Sequence, residues 1–176
     1  MAAELNADLQ WAGVPEAVKR TFKGARMKRV RLEPGTLLFT LNQRRVLSSS
    51  GQADCPVFWS PYKPYLGDPG YAGRLELAAS QRLSKVELFR AMSAYSGYRP
   101  GGRFAVVGKL RLPTWGFFGP INQTGRGGTS AKARGNILNI GQTSIKRPSV
   151  GYHIYIPGLS DPDFIQRVMA HDLFVR

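Results

Sequence analysis

The stretch RFAVVGKLRL (103–112) sets Phe104, Val106, Leu110 and Leu112 on one side and Lys109 and Arg111 on the other. That two-residue period is the mark of a strand with one dry and one wet face. Gly108 inside it predicts a bulge. What flanks this strand sets the fold class. Upstream, GRLELAASQRLSKVELFRAMSAYS (73–96) predicts two helices: Ser84 and Glu87 form a capping box, so a break falls near Ser84, and Val86, Phe89 and Met92 recur at helical spacing. Downstream, GYHIYIP (151–157) predicts a strand with Tyr152, Ile154 and Ile156 opposite His153 and Tyr155. Asp161 then caps a last helix, with Pro162 at its first position and Phe164, Ile165, Val168 and Met169 inward.

Further out, TLLFTL (36–41) follows the turn EPGT and reads as a strand. Pro15 opens a helix over PEAVKRTF, with Gly24 near its end. VFWSPYKPYLGDPGY (57–71) is too broken by proline for regular structure and too aromatic for a linker. The run from Pro113 to Val150 is rich in glycine and amides, with short apolar pieces such as NILNI, and predicts a loop-rich sheet edge. The order is helices, strand, helices, then strands and a final helix, which is α+β. The expected organisation is one domain: a basic N-terminal helical segment, 1–32, before a core of 33–176.

From Leu88 to Ser160 there is no Asp or Glu, while ten Lys or Arg are present. Such a segment cannot neutralise itself, so it points to an anionic ligand: nucleotide phosphates, a nucleic-acid backbone or an acidic protein. It also excludes a carboxylate base or a paired-acid mechanism built within it. The whole chain carries +14, and residues 17–31 hold seven further bases without an acid. Taken alone, either run also suits a solvated basic face. The single cysteine, Cys55, rules out an internal disulfide and reads as a small buried hydrophobe, consistent with a reducing compartment at the site of action. The N-terminus has acids where a signal peptide needs bases, and no run approaches the ~20 apolar residues of a membrane span. If the protein is exported, a secretion system that reads no cleaved signal would deliver it to a cytoplasmic target.

Three segments carry chemistry. In VFWSPYKPY, Phe58, Trp59, Ser60 and Tyr62 offer ring surfaces and hydroxyls suited to stacking on a nicotinamide or a base; the alternative is an aromatic plug in the core. In TWGFFGPINQ, Asn122 and Gln123 place amides beside a close-approaching backbone, or simply mark a turn. In the third, Gln142 follows a glycine, and His153 lies among tyrosines, where it is either a structural or a catalytic imidazole. No phosphate-binding loop, dinucleotide fingerprint or nucleophile elbow is present, and one Cys with two His makes no convincing zinc site.

The pieces LEPGTLLFTL, FWSPY, KLRLPTWGFFGPI and VGYHIYIPGL, in this order, resemble ADP-ribosyltransferase-like toxin domains, above all NAD-consuming toxins such as the tuberculosis necrotizing toxin group. The resemblance covers roughly residues 33–160. It implies a split β-sheet core with helices before and between the strands, NAD as substrate and no metal. By that likeness Phe58, Trp59, Ser60 and Tyr62 hold the nicotinamide ribose. The family's first strand usually supplies an Arg or His to the NAD phosphates; LLFTL offers Thr40, and Arg31, Arg44 or Arg45 would substitute. The late strand usually carries a Glu or Gln, for which Gln142 or His153 would stand in, with Asn122 near the cofactor. The implied activity is cleavage of the nicotinamide–ribose bond, by hydrolysis or by transfer to a protein or nucleic acid, in a toxin held in check by an acidic antitoxin or immunity protein. Two other classes stay open: a metal-independent ribonuclease toxin using His153 and His171, and a non-catalytic basic module that binds nucleic acid.

Overall fold

The structure, a computed structural model, describes residues 3–24, 27–42, 58–63, 103–120, 137–140, 143–146, 152–159 and 161–174, with Arg45, Leu47 and scattered positions between 75 and 89. Its strands are β1 (Lys28–Leu32), β2 (Leu37–Asn42), β3 (Phe58–Pro61), β4 (Phe104–Leu110), β5 (Thr114–Pro120), β6 (Ile137–Ile140), β7 (Thr143–Lys146), β8 (Tyr152–Tyr155) and β9 (Ile165–Asp172). Seven form one sheet in the order β1-β5-β8-β3-β2-β4-β9, and β6 pairs with β7 apart from it. Every pairing between these strands is antiparallel, and an isolated parallel bridge joins Leu5 to Thr114. The architecture is therefore mainly β, and this corrects the α+β expectation.

The reason lies in how the strands are buried. Neighbouring residues on the inner strands alternate between different cores. Leu38, Trp59, Val106, Phe118 and Ile154 join one cluster to which all seven strands contribute. Phe39, Ala105 and Val107 join a second, with Phe89, Leu75 and Leu88 packed there. Phe117 and Tyr155 join a third, covered by Val14 and Phe22. A strand dry on both faces has no amphipathic signature, and each such side chain contributes about 1.5–3 kcal/mol on burial. Its backbone groups then need partners on both edges.

That requirement converts several segments. The expected C-terminal helix is β9, which supplies the second edge of β4 from Phe104↔Asp172 to Leu110↔Ile165. Asp161 does cap, accepting from the Asp163 N–H at 2.9 Å, but only for a single turn. Ile165 reaches the core as expected, whereas Val168 and Met169 are exposed. PTWGFFGP is no loop-rich edge but the inner strand β5, between β1 and β8. Its glycines serve close packing: a Cβ on Gly116 would sit 2.7 Å from the Tyr155 carbonyl oxygen, and one on Gly119 would sit 2.8 Å from the Phe22 ring. FWSP, read as irregular, is β3.

The N-terminal helical segment also gives way. It holds a 3-10 turn (Trp11–Gly13), one short helix, α1 (Glu16–Lys19), and then β1. Gly24, at φ 61°, lies beyond the helix. In the middle of the chain Leu75, Glu76, Ala79 and Ser80 are helical, Arg82 turns with φ 49°, and Lys85, Leu88 and Phe89 are helical again. The bulge expected at Gly108 is present: the β4–β9 register shifts between Val107 and Gly108.

Candidate functional site

The middle of the sheet is where the singled-out residues meet. β3 changes partner along its length: Phe58 and Trp59 pair with Tyr155 and Ile154 of β8, while Ser60 and Pro61 pair with Phe39 and Leu38 of β2. Pro61 has no N–H to give, and it falls where β8 no longer pairs, so its missing donor costs no ladder bond on that side. The strand leaves its faces in alternation. Trp59 enters the shared core, and Phe58 packs against the third cluster and Tyr62 against the second. Ser60 is buried between those two positions. Continuing the β2–β3 register by one step sets buried Thr40 across from Trp59, at the point where β3 leaves β2.

Trp59 is 3% exposed, and its buried Nε1–H has no hydrogen-bond partner among the described residues. An unpaired buried donor costs about 1–3 kcal/mol, so this N–H is an unfilled contact at the split.

On the opposite face of the sheet from the Trp59 indole, His153 lies on β8. Its ring stacks on Phe58 at 4.3 Å and 17°, and the edge of Phe22 meets it at 4.4 Å. Burial alone pushes its pKa down to about 3. The imidazole is neutral at physiological pH, since nothing around it repays the lost hydration of a cation. Thr21 Oγ1 lies 3.4 Å from Nε2 and already donates its proton to the Val18 carbonyl. Nε2 therefore carries the ring hydrogen and donates to Thr21. This imidazole holds Phe58 in place and has no proton to release near neutrality.

The second histidine has a different setting. His171 lies on β9, with Nε2 3.2 Å from the Tyr62 hydroxyl and the ring 5.0 Å from Phe89. Its pKa is lowered, first by burial and then by the positive charge of Lys85. His153 and His171 are separated by β3, β2 and β4, a span of about 19 Å along the sheet. They do not form one catalytic pair.

The remaining candidates are dispersed. Arg31 sits on edge strand β1, three strand positions from β3, paired with Glu4 and Glu33. The hydrogen bond from Arg31, and then that from Trp115, hold Glu4 below its usual range. Arg45 lies 4.0 Å from Asp172 and over the ring of Phe104. Arg44, Cys55, Asn122, Gln123 and Gln142 lie outside the described residues. Among the described residues no three His, Cys, Asp or Glu gather to hold a metal, and no helix is long and apolar enough to cross a membrane. Sequence reading missed Thr21 and Phe22 as neighbours of His153, and Phe89 and His171 as neighbours of Tyr62. These are contacts between distant segments, and the helical spacing of the apolar residues in IQRVMAHD gave no hint of where His171 lies.

The fold and site define a mainly antiparallel β protein whose aromatic junction strand joins two parts of one sheet. No family model matches the chain, and no curated protein matches it. Among solved structures it is similar in outline to "Rhs1-CT in complex with cognate immunity protein RhsI1", at 9% identity and a TM-score of 0.41, over 85% of this chain and 83% of that one.

Proposed function

We propose that this chain is a toxin or effector that binds NAD at the β2–β3–β8 junction and cleaves its nicotinamide–ribose bond. The observation that supports this best is one of placement. The four segments that resemble NAD-consuming toxins contain β2, β3, β5 and β8, and these occupy four consecutive positions in the sheet, β5-β8-β3-β2. The change of partner along β3 puts Trp59, Ser60 and Thr40 at their centre.

In the proposed reaction the C–N glycosidic bond breaks and nicotinamide departs with the bonding pair as a neutral molecule. Positive charge develops on the ribose. A water, or a nucleophile on a protein or nucleic acid, then attacks C1′ and releases one proton. Ser60 offers its hydroxyl to the nicotinamide ribose, while Trp59, on the opposite face of β3, holds the junction from the core side. Phe58, held by His153, supplies a ring wall. Gln142 steadies the developing charge through its amide oxygen, with Asn122 and Arg44 as further contacts to the dinucleotide; Arg31, bound to Glu4 and Glu33 on the edge strand, and Thr40, on the core face, are not assigned to it. The work is positioning and electrostatics rather than proton transfer by histidine. The protein acts in the cytoplasm of a target cell after delivery by a secretion system, and an acidic immunity protein restrains it in the producer.

The test is nicotinamide release from NAD by the purified chain, with and without total RNA. Release is expected, falling at least tenfold in Gln142→Ala and about three- to tenfold in Ser60→Ala, the worth of one hydrogen bond. Release without RNA means hydrolysis, and ADP-ribose retained on RNA means transfer. No release in either tube overturns the proposal. RNA fragmentation in its place favours the ribonuclease, although the separation of His153 from His171 removes the usual histidine pair. Salt-sensitive RNA binding without turnover favours the non-catalytic module.

A further inference from the structure

Among the described residues the large apolar side chains left exposed are Val168, Met169 and Phe174, at 47%, 37% and 67%. All three belong to one place: β9, the last strand in the sheet order, and the turn that follows it. The opposite edge is treated differently. There the N-terminal segment lies along β1, with Arg29 donating to the Ala7 carbonyl and Arg31 bound to Glu4.

The β9 patch is flanked by more positive than negative charge. Arg103 donates twice to Asp172 Oδ2, at 2.9 and 3.1 Å. Arg45 lies 4.0 Å from the same oxygen, and Arg167 donates to the Arg45 carbonyl at 2.5 Å. Two guanidiniums thus face one carboxylate, with Arg167 tied to them through the Arg45 carbonyl, and Arg45 and Arg103 stay 63% and 55% exposed. Arg167 adjoins Val168 in the strand, and Arg103 accepts at its carbonyl from the Leu173 N–H beside Phe174, so arginines flank the apolar side chains at both ends; Arg is enriched at protein interfaces.

We infer that this edge docks an acidic protein, whose apolar side chains cover Val168, Met169 and Phe174 and whose carboxylates meet Arg45, Arg103 and Arg167. Charge selects the occupant. A second copy would bring two such arginine triplets together on chains that each carry +14. A nucleic acid would find only Phe174 to stack on and would leave Val168 and Met169 without a matching surface. The bulge opposite Gly108 sets Val168 outside the β4 register, which blunts the edge against simple strand addition. Recognition is therefore through side chains.

The experiment uses fluorescent peptides that alternate Glu with Leu or Lys with Leu, and a single-stranded oligonucleotide, read by anisotropy against the full chain. The Glu–Leu peptide is expected to bind at least tenfold tighter than the Lys–Leu one. Val168→Lys with Met169→Lys, and separately Arg45→Gln with Arg167→Gln, should each weaken it about tenfold while thermal unfolding stays unchanged. The inference is overturned if the acidic peptide does not bind, or if binding is indifferent to the apolar pair. It is also overturned if the apolar pair is needed for oligonucleotide binding, or for self-association in sedimentation. The readout needs no turnover, so it is independent of the NAD proposal.

Discussion

His153 offers a direct test of the packing at the junction, through the dependence of stability on pH. Its folded pKa is about 3, against 6.5 for the free side chain, and the cause is burial between Phe58 and Phe22. Above pH 6.5 neither folded nor unfolded chain holds a proton on this ring. Below it the unfolded chain takes one up and the folded chain does not, so stability falls as pH falls. The slope is about 1.4 kcal/mol per pH unit, and lowering the pH from about 6.5 to about 5 removes roughly 2 kcal/mol. His171 acts in the same direction, but it is half-buried and solvent discounts its share. The lowered carboxyls of Glu4, Glu16 and Asp172 lose their contribution only below the unfolded carboxylate range, so an assay held above about pH 5 keeps them apart. Urea unfolding at pH 7.5 and pH 5 should show the loss in the parent chain. His153→Phe, which keeps a ring in the aromatic box, should remove most of it, while His171→Phe should leave it. A parent chain equally stable at both pH values, or a His153→Phe variant with the parent's slope, would refute the burial argument.

Other predictions address the sheet itself. Gly116→Ala should lower stability by about 1–3 kcal/mol in thermal unfolding, because its Cβ would meet the Tyr155 carbonyl oxygen at 2.7 Å. Gly13→Ala, with nothing within 4 Å, should be near neutral in the same assay. Tyr62→Phe removes the 3.2 Å bond to His171 and should cost about 1 kcal/mol by urea midpoint; no change would mean the pair adds nothing to the fold. Ser60→Ala should reduce nicotinamide release without moving the melting temperature, and equal losses of both would assign Ser60 to packing alone.

Several strands were legible because their residues carry local signatures. RFAVVGKLRL reads as a strand, although its second face is dry rather than wet because Ala105 and Val107 are buried; TLLFTL follows a turn, and GYHIYIP separates Ile154 from His153 and Tyr155 as the two cores require. The Gly108 bulge and the break before Ser84 were legible for the same reason, since a glycine or a capping box acts over a few residues. The proximity of Phe58, Trp59, Ser60 and Tyr62 followed from their being one strand.

What tertiary structure alone decided was which edges needed partners. Phe164, Ile165, Val168 and Met169 have helical spacing, yet β4 is buried and its open edge takes Ile165–Asp172 as a strand. TWGFFGP reads as loop by composition, yet its glycines are what let β5 lie against Tyr155. His171 reads as remote, yet β9 carries it to Tyr62. The sequence by itself determined the charge, the acid-free segment and the short-range turns, because those depend on residue identity and near neighbours. The mainly β architecture, the split at β3 and the neutral His153 depend on contacts between segments up to 132 positions apart, which no local pattern encodes.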